Sequence, residues 1–212
     1  MRVITALITM IFSLSAFAQA NSANYQEGKH YIALNTPVRT SSADKIEVTE
    51  LFWYGCGHCF TFEPLAVQWK GKIADDVVFV QSPAMWNKPM ELHARAFYAA
   101  KALKVLDKVH QPIFNAMNLE RKRLKNADEI YPFFQAQGIS KEDFTKSFNS
   151  FTVTSQVKQA DARARGYRIT GTPSLVVDGR YRISAKSAGG HAQMLQVVDY
   201  LVAKIRAEKA KS

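Results

Sequence analysis

The sequence contains only two cysteines, and they lie three positions apart in the segment Cys56-Gly57-His58-Cys59. In a chain-entropy treatment, a disulfide across so short a loop stabilises a fold by only about 2 kcal/mol before strain is counted. A Cys-x-x-Cys pair is instead typical of thiol–disulfide exchange, in which a thiolate attacks a disulfide sulfur. The pair therefore indicates redox chemistry, and an inert structural bridge is the alternative.

The position of the pair assigns different tasks to its two sulfurs. Cys56 is predicted where a strand ends and a helix begins, and the unpaired N–H groups of a helix start favour a thiolate over a thiol. Cys56 is therefore the candidate nucleophile. Cys59, one turn further along, is the candidate resolving thiol. His58 can donate a hydrogen bond to the thiolate or stabilise it when charged, and its alternative is a surface histidine at a helix start.

The elements that must position these residues follow from apolar and β-branched patterning. Strand-like segments flank the cysteines and return late in the chain, and a block of helical character separates them. The helix after the cysteines contains Pro64, and Pro112 is predicted to open one helix of the middle block. The predicted strands are 30–34, 45–53, 77–80, 174–177 and 181–183, and the predicted helical segments are 60–73, the block 91–165, and 191–209.

The amino terminus has the features of a secretory signal peptide in residues 1–20. Arg2 precedes a short apolar run, and Ala16, Ala18 and Ala20 offer two overlapping Ala-x-Ala sites, so cleavage is predicted after Ala18 or Ala20. No later segment is long and apolar enough for a bilayer span of about 20 residues. The sequence thus predicts an exported protein in a compartment where disulfides persist.

The chain is basic, with a formal net charge of +10. An exported chain rarely meets nucleic acid, so nucleic acid is not predicted as a partner. The densest basic run is Arg121-Lys122-Arg123-Leu124-Lys125. It is predicted to be a solvated surface, with an anionic membrane face or an acidic partner as the alternative.

The sequence predicts neither a metal nor a cofactor. Cys56, His58 and Cys59 offer at most three crowded ligands, whereas a structural zinc site takes four. The other three histidines considered as ligands, His93, His110 and His191, are scattered on helical segments and are predicted to lie at the surface. No glycine-rich phosphate loop is present.

Further motifs relate the chain to a known family. Gly171-Thr172-Pro173 stands directly before the late hairpin, Glu50 lies six residues before Cys56, and Glu63 lies four residues after Cys59. With the Gly-His dipeptide and the helical middle block, these motifs resemble the DsbA family of thiol:disulfide oxidoreductases over roughly residues 28–209. The resemblance implies an α/β, thioredoxin-like fold with an inserted all-helical domain. The predicted thioredoxin-like domain comprises residues 21–85 and 167–212, and the predicted insertion comprises residues 86–166.

The resemblance also implies a function. It predicts a monomeric periplasmic oxidase that donates its Cys56–Cys59 disulfide to reduced, unfolded exported proteins and is reoxidised by a DsbB-like, quinone-linked membrane protein. A disulfide isomerase or reductase, and a non-enzymatic binding protein with a structural disulfide, are the alternatives.

Site residues beyond the cysteines also follow from the resemblance. A cis Thr172–Pro173 bond is predicted to face the cysteines and to present Thr172 backbone groups to a substrate peptide. Glu50 is predicted to relay protons to Cys59, with a solvent-facing or ion-paired residue as the alternative. The role of Glu63 stays open between the site and the surface.

Two positions depart from the family pattern. Many relatives carry proline at the position of Gly57, and some carry a lysine near the position of Gln81.

Overall fold

The computed structural model describes residues 25–211, so the predicted signal peptide lies outside the described residues. The described chain forms one five-stranded mixed sheet flanked by helices. The strands are β1 (Ile32–Ala33), β2 (Ile46–Phe52), β3 (Val77–Pro83), β4 (Ser174–Val177) and β5 (Tyr181–Ser184). The helices are α1 (Gly57–Lys70), α2 (Lys88–Ala102), α3 (Leu106–Asn118), α4 (Ala127–Gln135), α5 (Lys141–Phe148), α6 (Phe151–Gly166), α7 (Ala185–Ala188) and α8 (His191–Lys209).

The strands of the sheet are ordered β1-β5-β4-β2-β3, and β2 leads directly into the cysteine segment. It pairs in parallel with β3 through the α1 crossover, and antiparallel with β4. Every residue of β2 is buried, including its two glutamates, Glu47 and Glu50. Because the cysteine segment follows β2 directly, a fully buried strand positions the cysteines.

Two large apolar clusters cover the two ends of this sheet. One surrounds the β4–β5 hairpin and α8 and includes Phe62 of α1. The other fills the helical block and reaches the site through Phe52, Tyr54 and Cys59. The carboxyl end of β2, which leads into the cysteine segment, is therefore packed against the helical block, and the predicted α/β arrangement with a helical block between β3 and β4 is confirmed.

Local sequence signals account for most helix boundaries. The side chain of Asn87 accepts a hydrogen bond from the Met90 N–H and opens α2. The side chain of Ser140 accepts a hydrogen bond from the Asp143 N–H and caps α5. The predicted role of Pro112 is wrong: α3 begins at Leu106, and Pro112 lies inside it. Burial of Val109 and His110 holds the preceding turn in the helix, so packing overrides the proline signal.

Candidate functional site

Cys56 and Cys59 occupy different environments although only one helical turn separates them. Cys56 is the N-cap residue of α1, with an extended backbone, and its side chain is partly exposed. Cys59 lies inside the first turn, is fully buried and belongs to the apolar cluster of the helical block. Both are free thiols. A partner from solution can reach only the Cys56 sulfur directly.

The two thiols have pKa values shifted in opposite directions. A hydrogen bond from the Cys59 thiol is the largest influence that lowers the pKa of Cys56, to about 5, against the opposing effect of partial burial. The Thr172 side chain and the backbone N–H groups of Cys59 and His58 lower it further. Burial first, and the adjacent Cys56 sulfur second, raise the pKa of Cys59 far above its usual value. Near neutral pH the pair is thus one thiolate and one thiol.

The Thr172–Pro173 segment lies against the Cys56 sulfur. The peptide bond between these residues is cis, as predicted. In its protonated form, Cys56 donates a hydrogen bond to the Thr172 carbonyl oxygen, with Sγ and O 3.3 Å apart. Pro173 is buried, and β4 begins at the next residue and pairs with β2. Two segments more than 110 residues apart in sequence therefore meet at one sulfur.

His58 is exposed in the first turn of α1, and a second imidazole lies beside it. The ring centroids of His58 and His191 are 5.9 Å apart, and His191 also contacts Phe62 edge to face. Burial, followed by repulsion from His58, lowers the pKa of His191. His191 is partly buried at the start of α8 and lies next to the active-site helix, which the sequence did not indicate.

Glu50 lies beneath the cysteines in a buried polar cluster. The Gln81 amide donates to Glu50 Oε2 at 3.0 Å and to Glu63 Oε2 at 3.1 Å. The other oxygen of Glu50, Oε1, is buried and has no hydrogen-bond partner. Burial, then repulsion from Glu63, raises the pKa of Glu50 to about 8, although the Gln81 hydrogen bond acts in the opposite sense. Glu50 is therefore mostly a neutral acid near neutral pH.

The cluster continues toward α3 through His110. Its Nε2 lies 3.5 Å from Glu63 Oε1, and its Nδ1 shares a hydrogen bond of 2.7 Å with the Tyr54 hydroxyl. The sequence left Glu63 either at the site or at the surface. It is buried and lies inside this cluster. Glu63 and His110, together with Gln81, line a surface cleft, which connects the cluster to solvent on the β3 side.

The structure corrects two surface predictions. His93 and His110 are buried rather than exposed. His93 accepts a hydrogen bond from Trp53 Nε1 at 2.9 Å, and His110 contacts Tyr54 and Phe52. The hydrogen-bond partners of each histidine lie at least 29 positions away in sequence, so no local pattern indicates that it is buried. The one usable signal is that His110 shares a helix face with the apolar Ile113 and Phe114.

The described part of the chain offers no membrane-spanning helix and no metal cluster. None of the helices within residues 25–211 combines the length and apolar character that a bilayer span requires. Within the same residues, no group of three or more His, Cys, Asp or Glu side chains is arranged to hold a metal ion.

Comparisons with known proteins agree on one family. Residues 71–201 match the family described as the DSBA-like thioredoxin domain. The "Thiol:disulfide interchange protein DsbA" of Pseudomonas aeruginosa is 39% identical over 209 residues, covering 99% of this chain and 98% of its own length. The protein of that name from Azotobacter vinelandii is 41% identical over 195 residues, covering 92% and 91%. The crystal structure of Pseudomonas aeruginosa DsbA superposes with a TM-score of 0.84 at 41% identity, covering 89% of this chain and 97% of that one.

Proposed function

Because the chain belongs to the DsbA family and is a thiol:disulfide oxidoreductase, we propose that it works as an oxidase that gives its Cys56–Cys59 disulfide to reduced polypeptides. The observation that carries the proposal is the contrast between the two sulfurs. The accessible Cys56 is a stabilised thiolate, whereas Cys59 is a buried thiol. Stabilising the reduced form makes the disulfide easy to lose.

The first step forms a mixed disulfide. A substrate thiolate attacks Cys56 Sγ, a bond forms between the two sulfurs, and the Cys56–Cys59 bond breaks with its electron pair moving to Cys59. A buried Cys59 thiolate is strongly disfavoured, so it needs a proton at once. Glu50 is electrostatically coupled to Cys59, carries a raised pKa of about 8 and is the acid that we assign to this transfer.

The second step releases the oxidised product. A second substrate thiolate attacks the substrate sulfur of the mixed disulfide, and Cys56 leaves as a thiolate. Cys56 is a good leaving group because its pKa is low. The substrate has then lost two electrons and gained a disulfide, while the protein holds the thiolate of Cys56 and the thiol of Cys59. His58 contributes through its backbone N–H, which stabilises the Cys56 thiolate.

Substrate positioning is assigned to Thr172 and Pro173. Pro173 has no N–H, and the Thr172 carbonyl already faces Cys56 Sγ. We propose that an extended substrate segment lies along this loop as an added short strand, with main-chain hydrogen bonds to Thr172. Such contacts use the peptide backbone rather than particular side chains, so they suit an oxidase that acts on many different unfolded chains.

The cellular setting is proposed from the family and the sequence. The substrates are reduced, unfolded exported proteins in the periplasm, and a DsbB-like, quinone-linked membrane protein restores the disulfide. The protein acts as a monomer without a cofactor or metal. The division into a thioredoxin-like domain, residues 21–85 and 167–212, and a helical insertion, residues 86–166, is part of the same proposal.

The redox equilibrium with glutathione tests the proposal. An oxidase must oxidise substrate dithiols and hold a potential well above the poise of its compartment, whereas a reductase must lie below it. The Cys56→Ser variant is expected to lose all substrate oxidation. When Cys59→Ser is mixed with a substrate that already holds a disulfide, the Cys56 thiolate attacks that bond and the mixed disulfide is expected to accumulate, because the resolving thiol is missing. Full activity of Cys56→Ser in a cellular assay would support the binding-protein alternative instead.

A further inference from the structure

Four cationic side chains lie on the loop between α3 and α4. We call residues 119–125 the cationic loop; it carries Arg121, Lys122, Arg123 and Lys125, and all four are exposed. Glu120 is the single carboxylate within the loop, and it pairs with Lys122 at 2.7 Å. Glu129, which lies beyond the loop, accepts a hydrogen bond from the Lys125 backbone N–H. The loop therefore keeps a clear excess of positive charge.

The cationic loop is held in place by the active-site strand. His93 Nδ1 accepts a hydrogen bond from Trp53 Nε1 at 2.9 Å, so its Nε2 carries the proton and donates to the Leu124 carbonyl at 3.0 Å. Leu124 is buried and has a positive φ of 46°, and the Lys122 N–H bonds to the Ala116 carbonyl. The backbone that carries the four charges is therefore fixed, which lowers the entropic cost of binding an anion there.

The cationic loop also lies near the segment that carries the cysteines. Asn118, the residue before it, donates to the Tyr54 carbonyl at 2.8 Å. Its Oδ1 lies 3.9 Å from the position that a Cβ on Gly57 would take. Gly55, directly before Cys56, shares a cavity of about 570 Å³ with all four cations, and Trp53, Pro89, His93 and Met117 complete its lining.

We propose that this cavity binds acidic side chains that flank the reactive cysteine of a substrate polypeptide, so that the protein oxidises such substrates faster. This inference rests on the proposed function. The cavity is lined by Gly55, the residue directly before Cys56, so residues that flank the cysteine of a polypeptide joined to Cys56 lie near it. Its apolar lining with a cationic rim fits a chain that alternates apolar and acidic side chains. A concave site next to the reacting atom suits a polypeptide segment better than a flat anionic bilayer.

A matched pair of peptides tests the proposal. Both contain two cysteines and differ only in the residues flanking the first, which are glutamate in one and glutamine in the other. Mixed with the oxidised full-length protein at low salt, the glutamate peptide is expected to be oxidised about fivefold faster, a factor typical of a few exposed charge pairs. At about 1 M salt, where the screening length falls to about 3 Å, the two rates are expected to converge.

Two double variants locate the effect. Arg121→Gln combined with Arg123→Gln is expected to bring the ratio of the two rates close to one. Lys45→Gln combined with Lys72→Gln removes the same charge at the opposite end of β2 and β3 and is expected to keep the wild-type ratio. The ratio, rather than either rate, is the readout, because it cancels any change in Cys56 reactivity.

The outcomes separate this inference from the proposed function. Equal wild-type rates on both peptides overturn the inference and leave the oxidase function standing. A preference that survives in the arginine variant, or that vanishes equally in the lysine control, overturns it as well. Binding to vesicles containing phosphatidylglycerol, lost in the arginine variant and without any peptide preference, assigns the loop to membranes instead. Failure to oxidise either peptide overturns both proposals.

Discussion

Single residues set the chemistry of this site, and Cys56 depends most on its neighbours. Its N-cap position supplies N–H groups, and the first turn of α1 contains no acidic residue to oppose a negative charge. The largest stabilising contact comes from Cys59, itself kept protonated by burial. The buried thiol therefore acts as a hydrogen-bond donor to the exposed thiolate, so the two opposite pKa shifts have one cause in common.

Titration of the Cys56 thiolate by its ultraviolet absorbance is expected to give a midpoint near pH 5 in the reduced protein. In Cys59→Ala the midpoint is expected to rise, because the leading hydrogen bond to the thiolate is lost. A wild-type midpoint near about 8.5, the ordinary value for a thiol, would contradict both the assignment and the oxidase function.

Glu50→Gln tests the proton transfer to Cys59. The variant keeps the shape of the side chain but removes its acidic proton, so formation of the mixed disulfide is expected to slow by about tenfold to a hundredfold, near the lower end for general acid catalysis. Divided by the fraction of substrate thiolate, the wild-type rate should fall as the pH rises through about 8, where Glu50 ionises, and the variant should lack this fall. Rapid-quench measurement of the mixed disulfide gives both profiles.

Glu47→Gln is the matched control for that experiment. Glu47 is equally buried on the same strand, but it accepts hydrogen bonds from Thr49 and Ser41, away from the cysteines. Its replacement is expected to leave the pH profile of mixed-disulfide formation unchanged. Loss of the profile in both variants would mean that strand stability, rather than a proton on Glu50, controls the rate.

At the scale of elements, the turn between β2 and α1 depends on close packing of an aromatic ring. A Cβ on Gly55 would lie only 2.4 Å from the Trp53 ring, which the His93 hydrogen bond and a stacked contact hold in place. Gly55→Ala is therefore expected to displace the indole and destabilise the protein by about 1–3 kcal/mol. Urea unfolding followed by tryptophan fluorescence measures this change.

Gly57→Ala provides the comparison for that substitution. Its Cβ would meet only Asn118 Oδ1 at 3.9 Å, an ordinary contact, and alanine is favoured over glycine inside a helix. This variant is expected to be at least as stable as the wild type. If both alanine variants unfold at the same urea concentration, the Trp53 ring is free to move and the proposed packing constraint is wrong.

Elements with local signals were predictable from the sequence. The last helix was predicted over residues 191–209 and is found there, and the buried strand Ile46–Phe52 lies within its predicted range. In both cases the apolar pattern of one segment carries the information. The short helix Ala185–Ala188 was missed, because four residues are too few to establish a helical period.

Site residues were predictable from the sequence only where they belong to a recognisable motif. The Cys56–Cys59 pair and the Thr172–Pro173 segment were expected to meet, and they do. The burial of His110 depends on partners on β2, on β3, on α1 and in the turn after β2, which no spacing along α3 reveals. The roles assigned to the site residues, Glu50 among them, stay predictions until variants are measured.

At the scale of the whole molecule, both apolar clusters converge on the cysteine segment. Cys59 packs in the cluster of the helical block, while Phe62, on the same helix, packs in the cluster around α8. Forming or breaking the Cys56–Cys59 bond therefore affects packing where the two clusters meet. Folding stability and redox state should consequently be linked in this protein.

The reduced protein is expected to be more stable than the oxidised protein near neutral pH, the reverse of the usual effect of a disulfide. The disulfide gains only about 2 kcal/mol from constraining so short a loop. The Cys56 thiolate is stabilised only in the folded, reduced state. Because its folded pKa is depressed, that contribution is complete above the unfolded value of about 8.5 and is lost as the pH falls through about 5.

Urea unfolding of both redox states across this pH range measures the difference. The excess stability of the reduced form is expected to grow from about pH 5 toward pH 8.5. Below about pH 8, Cys59 stays mostly protonated in both the folded and the unfolded reduced chain, so Cys56 dominates the trend there. An oxidised protein that unfolds at higher urea concentration throughout would make the disulfide a stabilising bridge, and the thiolate would then no longer explain why the protein gives it away.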